Sequence, residues 1–239
     1  MIGFGAFHRN LLALERETFS PLNTGRIIVN SEMVRGEITQ HFAYPKDRIH
    51  TIRNGVRVQR FMGVSRAAAR DRWGYGERDY VMLFAGSGWE RKGLRYALEA
   101  ARKLEAAGVS LLVVGKGRIP RFAPRNVRFA GPMRDIEHAY AAADLLLCLP
   151  IYEPSANVVC EALASGLPVV TCVQNGASEW LSTPGSGEVV EDPSDVGNVI
   201  RAIERVRAQK SSRVLVDLEA LSLERNVRET VALLERARE

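Results

Sequence analysis

Two carboxylates, Glu153 and Glu161, stand in the run LLLCLPIYEPSANVVCEALASGLPVVTCV over residues 145–173. The run reads as a strand (145–149), a loop carrying Glu153, a helix (157–164), a glycine stop at Gly166 and a second strand (169–173). That is a parallel βαβ unit. Its helix opens among small and polar residues, where unpaired backbone N–H groups can meet an anion. An acid at the helix entrance suits the positive end of the helix dipole, and Pro154 pre-sets the first-turn φ angle. Glu161 shares a helix face with Asn157, so it can lean towards whatever sits at the helix mouth. One acid could take ribose hydroxyls and the other sugar hydroxyls, with amides meeting a diphosphate between them. Two acids at this spacing also occur on ordinary charged surface helices, and paired carboxylates serve hydrolases too. A helix-entry acid beside a phosphate-type loop fits ligand binding better.

Such a loop lies upstream: Gly86-Ser87-Gly88-Trp89-Glu90-Arg91-Lys92-Gly93. Its glycines let backbone N–H groups approach phosphate oxygens. Arg91 adds a forked donor and Lys92 a point charge. A solvated basic turn would look the same in isolation; the neighbouring glutamate helix favours the phosphate reading. Gly115-Lys116-Gly117 is a second glycine loop that a plain strand-to-turn junction explains equally well. Gly176 and Glu179 read as a turn and a helix start.

The elements that must hold these loops alternate. Strands are expected over 26–30, 49–52, 80–85, 110–114, 126–129, 145–149, 169–173 and 188–190. Helices are expected over 7–19, 32–42, 66–73, 94–107, 135–142, 157–164, 194–208 and 216–238, with a short one after Gly176. In the first helix Leu11, Leu14 and Phe19 are expected to face inward, and Ser31 is placed to cap the second. The run YVMLFA over 80–85 has the continuous apolar character of a strand buried on both faces. Strands alternating with helices indicate an α/β fold with a doubly wound parallel sheet. Ligands then bind beyond the carboxyl ends of the strands, where both glycine loops fall.

The motif E-P-x-x-x-V-x-x-E-A-x-A-x-G-x-P-V-V, running from Glu153 to Val170, resembles the signature of the group 1 retaining glycosyltransferases, which have two facing Rossmann-like domains. Within that family the likeness is greatest to the lipopolysaccharide-core glucosyltransferases. The resemblance implies that residues 58–215 form a Rossmann-like donor-binding domain and 1–57 the end of an N-terminal acceptor-type domain, with a C-terminal helix over 216–239. It implies a catalytic set of Arg91, Lys92 and Glu153. The donor would be bound by Gly86, Ser87, Ala156, Asn157, Val158 and Glu161 together with those three. Glu153 would contact hydroxyls of the transferred sugar and Glu161 the ribose, with Gly115-Lys116-Gly117 near the base. Ala156 stands where the family often has glycine, and Arg57 where it usually has an acid. The implied reaction transfers a hexose from a nucleoside-diphosphate sugar, with uridine as the expected base, to a glycan or lipid-linked acceptor, with neither a metal nor a resident cofactor. The likeness covers almost all of this chain but little more than half of such an enzyme. A nucleotide-sugar-binding module without turnover is the alternative. A two-domain epimerase would need a histidine and acids that cannot be placed.

The remaining features set bounds. The 239 residues, 46% hydrophobic and 26% charged, suffice for a large core. No apolar run approaches the roughly 20 residues that cross a bilayer, and the N-terminus does not read as a signal peptide. A cytoplasmic protein is expected, with peripheral attachment to the inner membrane face as a further expectation. Cys148, Cys160 and Cys172 fall on apolar elements at no metal-ligand spacing and read as reduced core thiols. The net charge of +5 suits an anionic partner, but the cations are spread along helices and no nucleic-acid motif occurs. The apolar faces within residues 1–42 are expected to seek a partner: another copy or a membrane surface.

Overall fold

The structure, a computed structural model, describes residues 5–209 and 214–237. The chain divides into two compact units, Met1–Arg53 and Asn54–Glu239.

The first unit runs α1 (Ala6–Thr18), β1 (Ile27–Val29), α2 (Glu32–Phe42) and β2 (Ile49–Thr51), after a short 3-10 turn at Lys46–Arg48. The two strands pair in parallel, Ile27 opposite Ile49. The Ser31 hydroxyl accepts from Val34 N at 3.3 Å and caps α2, as its residue type predicts. Val29, Ile38, Tyr44 and Ile49 make a small core, with the Tyr44 hydroxyl donating to Thr24 O at 2.6 Å. Here one expectation fails. No residue of α1 is buried; Leu11 is 42% and Leu14 59% exposed, and only Phe19, just past the helix, packs inward against Phe42. Periodicity says which face of a helix is apolar, not whether anything covers it. Residues 1–4 of the segment expected to associate lie outside the described residues.

The second unit begins with α3 (Val58–Phe61), a single turn that the sequence pattern does not disclose, and α4 (Arg66–Asp71). Then come β3 (Tyr80–Ala85), α5 (Leu94–Lys103), β4 (Val109–Val114), β5 (Val127–Gly131), α6 (Glu137–Ala142), β6 (Leu145–Cys148), α7 (Asn157–Ala164), β7 (Val169–Cys172), β8 (Gly187–Val190), α8 (Val196–Ala208) and α9 (Leu223–Arg236). All neighbours in the sheet are parallel, in the order β5-β4-β3-β6-β7-β8. Alternate residues of the central strands serve opposite cores. Val81, Leu83, Leu112 and Leu146 pack with residues of α3, α4, α6 and α7. Met82, Phe84, Leu111, Val113, Leu145 and Leu147 pack under α5 and α8. Both faces are covered, which is why these strands read as unbroken apolar runs.

Asp144, just before β6, fastens α4 beneath the sheet. Its carboxylate accepts from Val81 N at 2.8 Å, from Arg66 at 2.5 Å and from the buried Arg70 at 3.3 Å. The C-terminal helix starts later than expected, at Leu223 rather than residue 216. Asp217 Oδ1 accepts from the N–H groups of Glu219 and Ala220 in a turn, and Ser222 Oγ caps the helix by accepting from Arg225 N at 3.0 Å. The intervening backbone is used elsewhere: Val56 N donates to Leu221 O, and Leu223 N to Val56 O. A Cβ on Gly55 would lie 2.3 Å from Ser222 O, so this approach requires glycine. The expected final residue of the helix, Arg238, lies outside the described residues.

Candidate functional site

The order β5-β4-β3-β6-β7-β8 reverses direction between β3 and β6, because the connections from these two strands leave towards opposite edges. In an open parallel sheet that reversal leaves a crevice at the carboxyl ends. The loops 86–93 and 149–156 flank it, one from each strand.

They are locked together by backbone. Ile151 N donates to Arg91 O at 2.9 Å, and Gly93 lies so close to Leu149 that a Cβ would be 1.7 Å from its carbonyl oxygen. Gly93 also has φ +77°, so glycine is required there twice over. The adjoining loop after β4 is seated on the first: a Cβ on Gly115 would lie 2.0 Å from Gly86 O, and Lys116 N donates to Ser87 Oγ at 3.1 Å. The Trp89 indole donates to Gly86 O at 3.0 Å, and its ring is the wall that Gly117 approaches.

On this frame Arg91, Lys92 and Glu153 come together. Arg91 Nη1 and Lys92 Nζ both lie 2.6 Å from Glu153 Oε2, and Arg91 also donates to Tyr152 O at 3.1 Å. Lys92 and Glu153 are largely enclosed, whereas the Arg91 side chain is 55% exposed. Burial pushes the Glu153 carboxyl up, but the hydrogen bonds and charges of Lys92 and Arg91 outweigh it and hold the group below its usual range. The backbone of Glu153 is clamped too: its N–H donates to Gln174 O and its carbonyl accepts from Gly176 N.

Behind this cluster sits Asn175, fully buried. Its Oδ1 accepts from Ala156 N and Ala177 N, each at 3.2 Å, and its Nδ2 donates to Thr171 Oγ1 at 3.0 Å. One side chain thus ties the end of β7, the mouth of α7 and the 3-10 turn at Gly176–Trp180. The Ala156 amide, expected to face a ligand, is therefore already engaged. Among the described residues the N–H groups of Asn157 and Val158, in the first turn of α7, have no backbone or side-chain acceptor. They are the amides left for an anion. The Asn157 side chain accepts from Asn54 Nδ2 at 2.8 Å.

Glu161 is placed apart from the cation cluster. It sits one turn further along α7, and its Oε2 accepts from the Tyr140 hydroxyl at 2.6 Å. Burial raises its carboxyl above the usual range, opposed by the Tyr140 hydrogen bond and by Arg60. Tyr140 itself is fully buried, and burial followed by the Glu161 charge raises its phenol well above the ordinary value. No sequence signal joins Tyr140 to Glu161 or Asn175 to Ala156, because the partners stand 21 and 19 positions apart. Among the described residues no group of three or more histidine, cysteine, aspartate or glutamate side chains could hold a metal, and no helix is long and apolar enough to cross a membrane.

Comparison with known proteins adds an independent line. Residues 79–209 match the model of a family described as glycosyl transferases group 1. The lipopolysaccharide glucosyltransferase WaaG of Escherichia coli (strain K12) is 26% identical over 223 residues, covering 87% of this chain and 59% of its own length. A crystal structure of WaaG superposes with a TM-score of 0.77 at 24% identity, over 94% of this chain and 63% of that one. That of Anabaena Alr3699/HepE in complex with UDP-glucose gives 0.75 at 17% identity, over 98% and 68%. These two structures share the fold. The present chain spans between 46% and 59% of the length of the first curated relatives it matches.

Proposed function

The chain belongs to the group 1 glycosyltransferases, and from that premise we propose that its second unit binds the nucleoside-diphosphate-sugar donor of a retaining hexosyl transfer. The observation that carries the proposal is the convergence of Arg91 and Lys92 on Glu153 at the reversal point of the sheet. Two cations held by one carboxylate are a site prepared for a diphosphate: phosphate oxygens take over the place of Glu153 Oε2, and the carboxylate is released to the sugar hydroxyls. As the bond between the sugar anomeric carbon and the distal phosphate breaks, negative charge grows on the departing diphosphate. Arg91, Lys92 and the N–H groups of Asn157 and Val158 meet that charge from fixed positions, so little reorganisation is needed. The positive charge comes from side chains and amides, so the step calls on no metal. Glu161 accepts from the ribose hydroxyls.

The UDP-glucose complex of Anabaena Alr3699/HepE supports uridine as the base, and the likeness to the lipopolysaccharide glucosyltransferase WaaG supports a glycan or lipopolysaccharide-type acceptor.

Titration calorimetry with uridine, guanosine and adenosine diphosphates tests the donor site. UDP is expected to bind best. Lys92→Ala should weaken it about 10- to 100-fold, in line with a lost charged contact in an enclosed site. Arg91→Ala should cost less, about 3- to 10-fold, because that side chain is half exposed to water. Equal and negligible binding of all three nucleotides would refute the proposal. Donor binding without sugar transfer to lipopolysaccharide core would assign the chain on its own to the nucleotide-sugar-binding alternative.

A further inference from the structure

Between Gly115 and Arg134 the chain carries six basic residues and no acidic one. Arg128 is used internally, donating to Trp73 O at 2.5 Å. Lys116, Arg118, Arg121 and Arg125 are exposed, and among the described residues none of them enters an ion pair. They surround two large apolar side chains that also face solvent, Ile119 at 58% and Phe122 at 87% exposure. The Arg121 guanidinium lies 5.6 Å from the centre of the Phe122 ring. Both ends of the loop are fastened: Lys116 N to Ser87 Oγ, and Asn126 Nδ2 to Ala101 O and Val109 O at 2.7 Å each. This is a held projection, not a frayed end.

We propose that the loop 116–125 docks the protein on an anionic lipid bilayer, with Phe122 and Ile119 entering the headgroup region and Arg118, Arg121 and Arg125 meeting lipid phosphates. The pairing of features decides the partner. A soluble polyanion would satisfy the cations and leave Phe122 and Ile119 in water; a bilayer takes both, charge at its surface and apolar area just beneath. Position agrees. The loop leaves the carboxyl end of β4, the same edge of the parallel sheet from which the Arg91, Lys92 and Glu153 loops rise. Docking there holds the crevice beside the membrane surface. The inference rests on this loop alone and stands apart from the donor reading.

Co-flotation of the full chain with vesicles of phosphatidylcholine, with and without phosphatidylglycerol, tests it. Binding is expected only to the phosphatidylglycerol vesicles and should weaken with added salt. Joint Arg118→Gln and Arg121→Gln should lower the partition coefficient about 25-fold, at about fivefold per cation near an anionic surface. Phe122→Ser should also lower it several-fold, and UDP binding by calorimetry should be the same in all three proteins. Equal binding to neutral vesicles, or unchanged binding by the variants, overturns the proposal. So does loss of vesicle binding in Leu11→Ser with Leu14→Ser while the loop variants still bind. Phe122→Ser matching the unaltered protein while the arginine pair fails would point to a soluble polyanion, and also overturns it.

Discussion

Lys92 Nζ lies 2.6 Å from Glu153 Oε2, the oxygen that also receives Arg91. One carboxylate oxygen therefore holds both of the cations that the donor reading assigns to a diphosphate. The acid is at once a stabilising partner and a competitor.

Glu153→Gln separates these two roles. Removing the competing charge should leave UDP affinity unchanged or raised several-fold, while sugar transfer from UDP-glucose falls. Stability should move the other way. The Glu153 carboxyl is held below its usual range, so its contribution is present above the ordinary carboxylate pKa and is lost as pH falls through the lower folded value. The variant should melt below the unaltered protein at neutral pH, and the gap should close in acid. Calorimetric melting at both pH values checks this; a gap that widened in acid would contradict it.

Glu161→Gln should show the opposite sign. Burial raises the Glu161 carboxyl, so the protonated form is favoured by the fold and stability is lost as pH rises through the raised value. The amide keeps an acceptor for the Tyr140 hydroxyl without the buried charge. A gain in Tm of about 1–4 °C is expected at neutral pH, fading in acid. Affinity for the ribonucleotide should fall much more than for its 2′,3′-dideoxy analogue. Stability set aside in this way is what a ligand-facing acid looks like. Equal weakening of both nucleotides would remove Glu161 from the ribose.

Gly93→Ala should be among the most damaging single methyl additions in the chain. It places a Cβ against Leu149 O and forces alanine into a left-handed conformation. A loss of about 2–5 kcal/mol is expected, read as a Tm decrease of roughly 5–15 °C. Gly88→Ala, also at positive φ but with open space around the added methyl, should lose less. Similar melting of the two variants would mean that the loop yields at Leu149.

The uncovered face of α1 should drive association. Phe7, Leu11 and Leu14 are exposed at helical spacing on the first unit. Light scattering on the full chain should show concentration-dependent oligomers, and Leu11→Ser with Leu14→Ser should give a monomer with donor affinity intact. A strictly monomeric unaltered chain would refute this.

Much of this molecule can be read from local pattern. The strand at Tyr80–Ala85 and the helix at Asn157–Ala164 fall where apolar runs and the punctuation by proline and glycine place them. The meeting of Arg91 and Lys92 with Glu153 follows from a parallel sheet with both loops at its carboxyl edge. What local pattern hides is the choice among distant polar partners. Asp144 joins Arg66 and Arg70 across more than seventy residues, Asn175 reaches back to Ala156, and Tyr140 reaches Glu161. Each depends on which side chains the finished packing brings within reach. The late start of α9 has the same origin: residues 216–222 are helical in composition, but the backbone bonds between Val56 and the Leu221–Leu223 stretch win.

The three thiols carry a practical corollary. Burial pushes Cys148 and Cys160 up to about 12 and Cys172 to about 11, and all three are buried, two on strands and Cys160 on α7. At neutral pH they offer almost no thiolate to an alkylating reagent. A fluorophore attached through Phe122→Cys would therefore report from one place on the molecule, with no native residue to be removed first.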